Sequence, residues 1–152
     1  IRWNVPKWIL TRENHSESWS QRVPSEEDIM DLRAILEYAA LNINMCSTMS
    51  LDFMLFNKPV INTVFGNEIN GIYNDQRFLN YDHYKKVVES GAVTNAKNER
   101  ELIEQMNEAL MNPSERKQQR KGMIDLQIAE TFVDTSKRIA QKLRHWRKKK
   151  IK

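Results

Sequence analysis

Residues 41–62 read LNINMCSTMSLDFMLFNKPVIN. From Leu41 to Met45 apolar and polar residues alternate, which is the period of a strand with one buried face. Ser47 and Thr48 then open a segment that runs to about Phe56, and hydroxyl side chains at such a point cap helices. Asn57-Lys58-Pro59 stops the segment, because proline disfavours helical backbone in the residue before it. Val60 to Val64 is β-branched apart from Asn62, so a second strand follows at once. Strand, helix and strand with links this short make a βαβ unit, with parallel strands and a right-handed crossover.

Upstream, Trp8 to Thr11 (WILT) reads as a short buried strand and Asn14 to Pro24 as a polar loop. Ser25 begins a helix with the capping-box pattern SEED, in which Asp28 holds the third helical position. Ile29, Leu32, Leu36 and Ala39 follow at helical spacing and predict one core-facing side. Downstream, Phe65 to Asn80 is a long loop with Gly66, Gly71 and four Asn. Tyr81 to Glu89 reads as a helix, Ala92 to Thr94 as a strand, and NERE from Asn98 as a second capping box. Leu102, Ile103, Met106, Ala109 and Leu110 give that last helix an apolar face, which ends near Pro113. The remainder is helical in pattern, and its stripe of Ile139, Leu143 and Trp146 is expected to dock back on the body. Alternating strands and helices predict one α/β domain over residues 1–152, a Rossmann-like parallel sheet flanked by helices.

The chain's charge is divided unevenly. Its net charge is +4, yet residues 137–152 hold nine Lys and Arg and no acid. Residues 1–136 therefore carry 15 basic against 20 acidic groups. Nucleic-acid-binding folds spread basic groups over a docking face, so a nucleic-acid partner is excluded. The single cysteine, Cys46, rules out a disulfide framework and fits a reducing, cytoplasmic setting. His15, His83 and His145 with one cysteine give no zinc spacing, and nothing in the sequence calls for a metal or cofactor. The first residue is Ile1 rather than Met, and the chain reads as a piece of a longer protein.

Open parallel sheets bind ligands at the carboxyl ends of their strands, and the Ser47-Thr48 turn stands at such an end. A helix N-terminus there directs free N–H groups and a positive dipole end at whatever lies above the sheet. Ser47, Thr48, Met49 and Ser50 are the candidate diphosphate-binding residues. Asp52, one turn further in, is the candidate ligand for ribose hydroxyls. The same residues equally fit a plain cap with an acid offsetting the helix dipole, and the spacing leaves both readings open.

The segment NMCSTMSLDFMLFNKPVIN resembles the donor-site segment of two-domain GT-B type glycosyltransferases, most of all a bacterial group. DHYKKVVESGAVTNAKNERELIEQMNEAL continues the likeness, which runs from about Asp28 to the last helix. The resemblance implies the C-terminal half of a GT-B fold, incomplete at its N-terminus, binding a UDP-sugar or similar nucleotide diphosphate sugar. It implies that the Ser47-Thr48 mouth takes the diphosphate and that Asp52, where the group usually has Glu, takes the ribose. An N-terminal acceptor domain would supply the acceptor site and the catalytic base. The alternatives are a nucleotide-sugar epimerase of the same architecture and a non-catalytic nucleotide-binding regulatory domain.

Other residues belong to the candidate cleft. His83 follows the long loop, and histidine as a residue type is suited to acid–base roles. Asn44 and Asn62 close adjacent strands, where an amide can hold a ligand or brace a loop. Trp19 precedes the capped helix and offers a stacking surface for a nucleobase, while Trp3, Trp8 and Trp146 read as packing anchors. Cys46 reads as a small core-filling residue. Residues 144–152, with Trp146 and Ile151 as apolar flanks, fit contact with an anionic membrane at its inner face, or else a solvated terminus.

Overall fold

The computed structural model describes residues 3–66, 76–128 and 133–150, without the side chains of residues 18, 19, 76, 77 and 148–150. Most of the long polar loop, the side chain of Trp19 and residues Ile151 and Lys152 thus lie outside the described residues.

The central sheet has three parallel strands in the order β3-β4-β5: β3 (Asn42–Asn44), β4 (Val60–Thr63) and β5 (Thr94–Ala96). Between β3 and β4 runs α2 (Met49–Leu55), so the parallel βαβ unit predicted from residues 41–62 is present. Asn57, which ends α2, has φ of 54°, a left-handed conformation that asparagine tolerates well. The α/β architecture with a parallel sheet flanked by helices is therefore established. A separate antiparallel pair, β1 (Ile9–Leu10) with β2 (Arg22–Val23), precedes it.

Four helices complete the body: α1 (Glu26–Tyr38), α3 (Asp82–Glu89), α4 (Glu99–Met111) and α5 (Lys117–Gln127). β4 is buried over Val60, Ile61 and Asn62, as expected of a central strand covered on both faces. Ile61 and Thr94 line a small space shared with Gln105 and Ala109 of α4. By strand alternation Asn62 turns to the other face, toward α2 and α3. Phe53 and Met54 of α2 join Met123 and Ile124 of α5 in one core with Val64, Tyr84 and Val87. Arg120 is buried on α5; its Nε donates to Asn57 Oδ1 at 3.0 Å and its Nη2 to the Pro113 carbonyl at 2.6 Å. Those two bonds tie the end of α2 to the turn between α4 and α5.

Both capping expectations are met, with one variation. Ser25 Oγ accepts from Asp28 N at 3.1 Å while Asp28 Oδ2 accepts from Ser25 N at 2.8 Å. Asn98 Oδ1 accepts from Glu101 N at 2.9 Å, but the Glu101 carboxylate takes the N–H of Lys97, one residue before the cap. Ser25→Ala should lower stability by about 1 kcal/mol. Urea unfolding checks this, and an unchanged midpoint would deny the cap its role.

Several expectations need correction. The WILT strand is not buried: Ile9 and Leu10 are about half exposed, because a two-residue ladder with one partner has no sheet to cover it. The third strand of the sheet occupies residues 94–96 rather than 92–94. Ala92 and Val93 are instead packed into the core as the chain leaves Gly91, whose φ of 69° turns it out of α3. In α1 only Leu36 is buried, and Ile29 stays exposed; in α4 no residue is fully buried, and Ile103 and Leu110 are exposed. Trp3, Trp8 and Trp146 are exposed, so they anchor no core. The last helix, α6 (Thr135–Lys150), does not bury its stripe against the described body: Ile139, Leu143 and Trp146 are 55%, 56% and 58% exposed.

Candidate functional site

The parallel register sets Asn44 beside Asn62 and Asn62 beside Asn95, so an asparagine row crosses all three strands. Each amide carries both donors and an acceptor. Buried amides need partners, and here they find one another through a single chain of bonds. Asn44 Nδ2 donates to Ser50 Oγ at 3.1 Å, and Tyr84 OH donates to Asn62 Oδ1 at 2.9 Å. Ser50 Oγ and Tyr84 OH are 2.6 Å apart. Since the single Tyr84 hydroxyl proton goes to Asn62, Ser50 is the donor in that contact. Asn62 Nδ2 then donates to Asn95 Oδ1 at 2.9 Å. All the bonds run in one direction, an arrangement in which each polarises the next. Burial pushes the Tyr84 phenol above its ordinary range despite the bonds to Ser50 and Asn62, so it stays a proton donor.

This chain ends on the turn between β3 and α2. Asn44 Oδ1 accepts from Ser47 N at 2.9 Å, which is the loop-bracing role expected of that side chain. Asn44 Nδ2 also donates to Asn42 Oδ1. Within the turn Cys46 has φ of 54°, a left-handed backbone that costs a non-glycine residue about 1–3 kcal/mol. Its side chain is buried, and desolvation pushes the thiol up to about 11. The thiol is neutral at ordinary pH and packs as a small apolar group.

The four candidate diphosphate residues divide. Ser47, half-buried, is the residue whose Oγ accepts from Met49 N, at 3.3 Å; Thr48 occupies the cap position but makes no side-chain cap. The Thr48 side chain is exposed, and that of Met49 is half-buried. Ser50 is a correction: its side chain is fully buried and both its bonds are internal, so it faces α3 and not the open mouth.

Asp52 stands four residues beyond Thr48, on the same side of the helix. It is half-buried, and among the described residues no hydrogen bond or ion pair reaches its carboxylate. Desolvation by burial raises its pKa. His83 is exposed at the start of α3, its ring 5.7 Å from that of Tyr81, and it takes no part in the polar chain. Its sequence neighbour Tyr84 does. Neither Tyr84 nor Asn95 stands out in the sequence. Asparagines recurring at strand ends were the available signal for Asn95, and Tyr84 had none, since its partners Ser50 and Asn62 lie 34 and 22 residues away in sequence.

Among the described residues no group of three His, Cys, Asp or Glu side chains is placed to hold a metal ion. No helix among them is long and apolar enough to cross a membrane. No family model, curated protein or solved structure matches the chain.

Proposed function

We propose that this chain is the donor-binding part of a glycosyltransferase and holds a nucleotide diphosphate sugar at the turn from β3 into α2. The observation that carries the reading is Asp52, a half-buried carboxylate with no protein donor among the described residues, one helical turn beyond an exposed threonine. A folded chain keeps such a group at a cost in desolvation, and a ligand with hydroxyl donors removes that cost. The strained Cys46 backbone in the turn that precedes α2 adds support, since strain of this kind gathers at functional turns.

In this reading the diphosphate lies over the Ser47–Met49 turn, near the exposed Thr48 hydroxyl, while the N–H groups of Ser47, Met49, Ser50 and Leu51 are bonded within the turn. Asp52 accepts from the ribose hydroxyls. The asparagine–serine–tyrosine chain holds the turn in place from below, and Ser50 belongs to that framework. Transfer breaks the bond between the sugar and the diphosphate, and an acceptor hydroxyl forms the new one after losing its proton to a base. Negative charge then grows on the departing diphosphate, where dipoles fixed in advance stabilise it. The acceptor and the base would come from an N-terminal acceptor domain.

Titration with UDP tests the site. Backbone amide signals from Ser47 to Leu51 should shift at roughly millimolar ligand. A folded protein whose signals stay still there, or shift only elsewhere, would remove the donor site from this turn.

A further inference from the structure

α6 is sixteen residues long and contains no acidic residue. Every α6 side chain described, from Thr135 to Arg147, is exposed. Ile139, Leu143 and Trp146, spaced at four and three residues, form one apolar stripe facing water. At 100° per residue Lys142 borders this stripe on one side and Arg147 on the other. The opposite face carries Lys137, Arg138 and Arg144. A lone helix of this length is marginal in water, and like charges four residues apart, such as Arg138 and Lys142, weaken it further. An anionic surface with an apolar layer beneath relieves both defects.

We propose that α6 lies flat on an anionic lipid surface, with Ile139, Leu143 and Trp146 in the boundary between headgroups and acyl chains. Lys142 and Arg147, which border the stripe, meet the lipid phosphates, and the indole of Trp146 suits a layer that is apolar on one side and wet on the other. The helix rests on the bilayer and does not span it. This inference is independent of the donor-site reading.

Charge and shape select the lipid over a protein partner. The complementary face on this chain is α1, which exposes Ile29, Met30 and Ile35 among acids. Three of the five α1 acids are already engaged: Asp28 with Ser25 and the N–H of Lys7, Glu27 with Lys7, and Asp31 with Asn4. A stripe three residues long also falls short of the roughly 1,200 Å² that a stable protein interface buries. A fluid bilayer demands no matching shape.

The test is co-sedimentation of the 152-residue chain with phosphatidylcholine vesicles, with and without phosphatidylglycerol. Binding should be about tenfold or more tighter to the anionic vesicles. It should weaken as salt rises. Leu143→Glu should abolish it, and Trp146→Ala, which keeps every charge, should weaken it. Neither variant should move the thermal unfolding of the body, because no described α6 side chain is buried. Equal binding to both vesicle types, or no binding, overturns the proposal. Anionic binding that survives Leu143→Glu also overturns it, since charge alone then suffices. Self-association that Leu143→Glu removes, or a lower unfolding midpoint in that variant, would assign the stripe to a second copy or to the body instead.

Discussion

Tyr84→Phe is expected to destabilise the fold by about 2–4 kcal/mol, although it deletes one oxygen atom and leaves the ring in place. The hydroxyl sits between Ser50 and Asn62, both fully buried. Without it, the Ser50 proton and Asn62 Oδ1 both lose their partner in a place water does not reach. A domain of this size has roughly 5–15 kcal/mol in all, so the loss is a large fraction. Ser50→Ala should be costly for the same reason. The double variant should cost less than the two singles together, because each single already breaks the contact they share. Chemical denaturation of the three variants makes the comparison. A Tyr84→Phe change within 0.5 kcal/mol of zero, or strict additivity, would show that the chain of bonds is not a unit.

The consequence reaches the turn at the mouth of α2. Asn44 spends its amide on Ser50 and its carbonyl oxygen on Ser47 N, so a break at Tyr84 loosens the residues above it. Sheet, network and turn form one construction, in which the buried polar row fixes a backbone that β-strand bonding alone would leave free.

What the sequence disclosed and what it hid have the same physical origin. Periodicity and breakers act within a few residues, so the βαβ unit, the stop at Asn57-Lys58-Pro59 and both helix caps were legible. The tyrosine network was not, because its bonds join residues 34 and 22 apart in sequence. An aromatic residue in an amphipathic helix reads as core, and Tyr84 is core; the partner of its hydroxyl is a property of the fold. The two-residue displacement of β5 hid Asn95, since a strand placed at 92–94 gives that residue no register with Asn62. Ser50 was misread for a similar reason. It follows Ser47 and Thr48 in a run of hydroxyls, but it stands two residues beyond the exposed Thr48, and residues two apart do not share a helix face, so it turns toward α3 and the core. Periodicity likewise identified the stripe of α6 without identifying what covers it. A stripe fixes which side of a helix is apolar, and only the surrounding surface says what that side meets.

Asp52→Asn separates a binding carboxylate from a structural one, because the two predict opposite signs. Burial raises the folded pKa of Asp52 above its unfolded value. Below the ordinary carboxylate range the group is protonated in both states and contributes no pH dependence. As pH rises from that range to the raised native value, the unfolded chain gives up its proton first. The unfolded state then binds fewer protons than the native one, and stability falls across this window. Above it the penalty is constant. Asp52→Asn should therefore match the parent protein in acid and exceed it in stability at neutral pH. If Asp52 holds ribose, the same change should weaken nucleotide diphosphate sugar binding on the order of 10–100-fold, the worth of one hydrogen bond to a charged group. A carboxylate that merely offsets the helix dipole would behave otherwise: its loss would cost about 0.3–1 kcal/mol at neutral pH and leave donor affinity unchanged. Unfolding measured at both pH values, beside donor titration at neutral pH, distinguishes the two. Greater stability with weaker donor binding is the signature of a group retained for its ligand, and lower stability with unchanged donor binding would return Asp52 to the helix.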